Sequence, residues 1–156
     1  LLDIKASEKT IVSEDIEKYI GISKQFNNYE LRRALGEKNF DKAFQICNYF
    51  SENPNSNPLV VSISVIFDFF NKLLLFHVNS GLNEKKISQI LGINPYFISE
   101  YRIASNNYNL KNVVEIISII RDYDMYNKGV MIKKPSNSLL TELVMRVINL
   151  TLLLKH

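Results

Sequence analysis

"NPLVVSISVIFDFFNKLLLFHV", Asn57 to Val78, is the stretch whose reading decides the fold. Its first part, "VVSISVIF", is rich in β-branched residues and would suit a buried strand. The apolar pattern then continues through Phe69, Phe70, Leu73, Leu74 and Phe76. The run outlasts the about 4–8 residues of an ordinary strand, so it predicts one central helix. Asn57-Pro58 supplies its start, because proline is tolerated where a helix begins. The uninterrupted segment "PLVVSISVIF" stops at Asp68, short of the about 20 apolar residues that cross a bilayer. A soluble protein with no membrane partner is expected.

Outward from this run, helical punctuation recurs. Gly21, Gly36, Gly81, Gly92 and Gly129 each fall where an apolar pattern ends, which predicts C-terminal capping. Ser13, Asn39, Asn94 and Asn109 stand at predicted starts, with Pro95 at a first helical position. Phe97, Tyr101, Ala104 and Tyr108 form one stripe at helical spacing, and Val113, Ile116, Ile117, Ile120 and Tyr123 another. "SENPNSNP", residues 51–58, is a loop. The expected fold is all-α, a compact bundle of about six or seven helices without a sheet. A softer boundary near Gly21 to Asn27 divides residues 1–23 from 24–156.

The 156 residues are 46% hydrophobic and 22% charged, a composition that folds. A net charge of +3 is mild for a dedicated nucleic-acid binder. The single cysteine, Cys47, excludes an internal disulfide and a cysteine zinc cluster. Among apolar neighbours it reads as a buried, inert thiol, and a reducing cytoplasmic setting is expected. No signal peptide pattern opens the chain. A start in mid-pattern without methionine suggests a piece of a longer protein.

"GLNEKKISQILGINPYFISEY", residues 81–101, has the layout of a helix-turn-helix: Ile87, Leu91, Ile98 and Tyr101 at packed positions and Gly92 at the turn. Base reading needs Arg, Lys, Asn or Gln at the start of the second helix. Asn94, Pro95, Tyr96, Ser99 and Glu100 stand there instead, and Glu100 carries the wrong sign for phosphate. Tyr96 beside Phe97 predicts packing against protein. The motif supplies shape; a DNA-binding regulator using residues 83–104 is the alternative reading.

Further along, Asp124 and Lys128 are spaced as a helical ion pair with the acid first, close to a helix end. Asp124 extends the stripe of Val113, Ile117 and Ile120, so it is expected partly buried with Lys128 as partner, or Arg102 or Arg146 from another helix. With Arg121, the pair is either structural or a subunit contact. Lys133 and Lys134 follow in a loop that could meet DNA or a partner, and Arg32-Arg33 read as solvated. Neither G-x-x-x-x-G-K-[ST] nor G-x-G-x-x-G occurs, and no nucleophile stands near a base. No catalytic residue, metal ligand or cofactor is expected, so the chain is not an enzyme by itself.

The order of these segments resembles the delta subunit of the bacterial DNA polymerase III clamp loader. The matching stretches are "VSEDIEKYIG", "NNYELRRALGEKNFDKAFQI", "NPLVVSISVIFDFFNKLLL", "ISQILGINPYFISEYRIASNNY", "IIRDYDMYNKG" and "LLTELVMRVI", from about Val12 to Ile148. The resemblance implies the tail of a helical lid domain over residues 1–23 and a C-terminal collar domain over 24–156. In that family the collar holds the loader together, beside the tau/gamma-type motor subunits and the delta-prime subunit. An N-terminal ATPase-like domain, absent from this sequence, grips the sliding clamp. The implied role is a scaffold in DNA replication, within the DNA polymerase III holoenzyme, a DNA-directed DNA polymerase and transferase complex. DNA binding by the collar is implied to be weak or indirect. Asp124 and Lys128 match the family's acid–lysine pair.

Overall fold

The computed structural model describes residues 13–130 and 136–153. These residues form eight α-helices: α1 (Ser13–Gln25), α2 (Asn28–Gly36), α3 (Phe40–Glu52), α4 (Leu59–Val78), α5 (Glu84–Leu91), α6 (Ile98–Asn107), α7 (Leu110–Asn127) and α8 (Ser136–Leu153). A 3-10 turn, Pro95–Phe97, leads into α6. No strand occurs among the described residues, so the all-α bundle predicted from periodicity is the observed architecture.

The deciding stretch is the axis of the bundle. α4 packs on α2, α5, α6, α7 and α8, while α3 closes the side between α2 and α8. Ile63, Ile66, Phe69, Phe70, Leu73 and Phe76 are buried along it. Each large apolar side chain so buried stabilises the fold by about 1.5–3 kcal/mol, which outweighs the sub-kilocalorie β preference of the Val and Ile residues. α4 is nonetheless 20 residues long with a mean hydropathy of 2.0, enough by length and composition alone to cross a membrane. The expectation that the run is too short for that does not survive; Asp68 and Lys72 join in an ion pair that leaves the helix unbroken. Ile63, Ile66, Phe69, Phe70, Leu73 and Phe76 of this helix form the centre of the bundle.

Asparagine is the helix starter of this chain. Asn39, Asn94 and Asn109 cap as predicted, and Asn27 and Asn83 do the same for α2 and α5. In each case the side-chain oxygen accepts a backbone N–H that the first turn leaves unpaired. The glycines divide by cause. Gly92 closes α5 at φ +64° and Gly129 follows α7 at φ +71°, both left-handed as predicted. Gly21, by contrast, lies within α1 and ends nothing. Gly36 is the last residue of α2, but the left-handed residue beyond it is Lys38 at φ 57°. Gly36 serves close packing: a Cβ there would lie 2.9 Å from Cζ of Phe69.

Three helix ends are tied together beside it. Tyr108, buried at the end of α6, donates its hydroxyl to the Leu35 carbonyl at 2.6 Å. Asn107 Nδ2 donates to the Gly36 carbonyl at 2.9 Å. His77 Nε2, near the end of α4, lies 2.8 Å from the Tyr108 carbonyl and donates to it. Carbonyls exposed by helix termini are thereby paired by side chains from other helices. α1 stands apart, since none of residues 14–25 is buried.

Candidate functional site

The helix-turn-helix unit exists in the predicted form. Ile87, Leu91, Ile98 and Tyr101 are all buried, and Gly92 makes the turn. Its outer end departs from the prediction. Tyr96 is 80% exposed and makes an edge-on contact with Phe97. Its backbone N–H is held by the Asn94 cap, which points the ring outward at the first residue after the proline. Packing inside the unit falls instead to Phe97, half-buried, and Tyr101. The basic residues of the unit are dispersed: Arg102 is spent on Glu84, while Lys85 and Lys86 are exposed on α5.

Arg32, read from the sequence as solvated, and Glu100, read as a poor phosphate contact, form the best-built polar cluster. Arg32 Nη2 donates to Glu100 Oε2 at 3.1 Å, with side chains only 14% and 18% exposed. Arg32 Nη1 lies 3.4 Å from the Tyr101 hydroxyl, and the Tyr29 hydroxyl donates to Glu100 Oε1. The guanidinium carbon sits over the rings of Tyr29 and Phe69, at 4.7 and 5.5 Å. Burial first, then the hydrogen bond and charge of Glu100, push the Tyr29 hydroxyl up to about 12. Burial pushes the Tyr101 hydroxyl up to about 12 as well, against the pull of Arg32. The cluster ties α2 to α6, and its Arg32 and Tyr101 line a groove of about 520 Å³ together with Ser64, Asp68 and Lys72 of α4. Arg33, the neighbour, is the solvated one, paired with Glu37 at 2.9 Å.

A second groove, of about 400 Å³, lies on the other side of Ser64, between α4 and α7. Here the predicted residues Arg121, Asp124 and Lys128 come together. Lys128 Nζ donates to Asp124 Oδ2 at 2.5 Å, so the local lysine is the partner of the half-buried carboxylate. The other candidates are engaged elsewhere: Arg102 with Glu84, and Arg146 over the ring of Tyr123 at 5.9 Å. Asp122 points to solvent, on a different face. Lys133 and Lys134 lie outside the described residues.

The described residues bring together no group of three His, Cys, Asp or Glu side chains able to hold a metal ion. Cys47 is buried, and burial pushes its thiol up to about 12, far from a reactive thiolate at neutral pH. The two grooves share apolar floors and charged rims, and the exposed Val60 and Ser64 of α4 stand between them. A scan of family models, a search of curated proteins and a search of solved structures each found no match to this chain.

Proposed function

We propose that this chain is a protein-assembly module, the collar part of a clamp-loader delta subunit with the tail of its lid domain at residues 1–23. It acts as a scaffold that joins motor and delta-prime subunits so that a sliding clamp can be opened and loaded during replication. The observation that carries this reading is the outer face of α4. The most apolar helix of the bundle keeps Val60 and Val61 exposed at its start and Leu75 and Val78 at its end, with exposed Ser64 and Asp68 between them. Exposed apolar side chains grouped at both ends of one helix face suit protein contact.

The segment order from Val12 to Ile148 gives that surface its context. "NNYELRRALGEKNFDKAFQI" folds as α2 and α3, "NPLVVSISVIFDFFNKLLL" as α4, and "ISQILGINPYFISEYRIASNNY" spans α5 and α6. The alternative, a DNA-reading regulator built on residues 83–104, finds less support. The start of its second helix presents Tyr96 and a carboxylate already held by Arg32. Surface substitutions on α7 and α8 test the proposal: they should weaken loader assembly while leaving the helical melt unchanged. Assembly untouched by the whole scan, with DNA binding that falls steeply with salt, would instead favour the regulator.

A further inference from the structure

We infer that the groove between α4 and α7 receives an acidic amphipathic helix from a neighbouring subunit, an inference that rests on the assembly reading above. Its floor is apolar: Ile63 and Ile120 are buried beneath it, Phe67 is half-buried, and Val60 stands 50% exposed at the lip. Its charges do not balance. Two cations, Arg121 and Lys128, border it against one carboxylate, Asp124. Lys128 is engaged by Asp124, whereas exposed Arg121 pairs with no carboxylate among the described residues. The excess cation beside an apolar floor is complementary to a segment carrying a Glu or Asp next to aliphatic anchors.

The shape suits a helix. α4 and α7 run antiparallel, since the start of α4 shares this groove with the end of α7 while His77 reaches Tyr108, just before α7 begins. Helical periodicity places Val78 on the same face of α4 as Val60, and Leu110 and Val114 on the same face of α7 as Arg121. All four apolar residues are at least 45% exposed. The seam therefore continues beyond the groove for the length of α4, about 30 Å at 1.5 Å per residue. A helix laid along the seam would meet apolar contacts at both ends and Arg121 near one of them.

Two substitutions separate docking from folding. Val60→Asp places a carboxylate in the first turn of α4, where the helix dipole favours it, so the fold should not suffer. Arg121→Glu changes an exposed side chain. The 156-residue chain and both variants are titrated with the motor and delta-prime subunits, with Ser64 replaced in parallel by a photo-crosslinking residue. Each variant should bind at least about tenfold more weakly at an unchanged melting temperature, and Arg121→Glu should also flatten the salt dependence. Crosslinks from position 64 should land on an acidic helical segment. Wild-type assembly with undiminished binding by the variants would overturn the docking site and leave the scaffold reading standing. Tighter binding by Arg121→Glu would overturn it too, by requiring a basic partner, and no assembly by any chain would remove both readings.

Discussion

Arg32→Ala is the substitution that most sharply divides the structure from a simple surface reading of "ELRRAL". It deletes a guanidinium whose ion pair with Glu100 is mostly withdrawn from water, at 14% and 18% exposure. Fully buried pairs cost about 3–5 kcal/mol to break by removing one member, and exposed pairs no more than about 1. Glu100 keeps the Tyr29 hydroxyl as a donor, which limits its penalty. The ring contacts with Tyr29 and Phe69 add about 0.5–1 kcal/mol, so the total is about 2–3 kcal/mol. For a chain of this size that lowers the melting temperature by about 5–10 °C. Arg32→Lys should recover part of this loss, because an ammonium restores charge without the planar fork. The assay is urea and thermal unfolding followed by circular dichroism, with a double-mutant cycle against Glu100→Gln. Arg32→Ala within about 0.5 kcal/mol of the wild type, the range of ordinary surface changes, would refute the reasoning.

Glycine substitutions should split by cause in the same unfolding assay. Gly36→Ala, which forces a Cβ against Phe69, should destabilise by about 1–3 kcal/mol, and Gly92→Ala, at positive φ, by about 1–2 kcal/mol. Gly21→Ala, inside α1 with nothing within 4 Å, should be neutral or favour α1 by up to about 1 kcal/mol. Stability should fall in alkali. Tyr29, Tyr101 and Tyr123 are held up to about 12 in the fold, against an unfolded value near 10. Their contribution is therefore complete below about pH 10 and lost as pH climbs through about 12, readable as tyrosinate absorbance rising together with loss of helix. Cys47 should resist a thiol reagent at pH 8 in the native chain and react at once in denaturant, because its thiol is both covered and held up to about 12.

The all-α character was legible because helical periodicity and end signals agreed along the chain. Tyr101, Ala104 and Tyr108 of one stripe and Val113, Ile116, Ile120 and Tyr123 of the other are buried as their spacing predicts, while Phe97 and Ile117 at the stripe edges are half-buried. The Asp124–Lys128 pair was legible for the same reason, being one helical turn long. Arg32–Glu100 was not, because its partners are 68 residues apart and meet only when α2 packs on α6. A weaker signal was present: Arg32 borders the buried face made by Leu31, Ala34 and Leu35. From that edge, a long side chain bends inward over neighbouring rings. Gly36 misled because glycine ends helices and also permits close approach, and only the position of Phe69 separates the two uses. Tyr96 misled because the residue before a half-buried Phe97 shares its turn without sharing its direction.

The most direct test of the assembly account is multi-angle light scattering after size exclusion, with this chain mixed with motor and delta-prime subunits of the same organism and no DNA present. The account predicts a stoichiometric complex carrying one copy of the chain, stable through the column. A chain that elutes alone under every loader mixture, yet shifts with duplex DNA in a salt-sensitive manner, would contradict it.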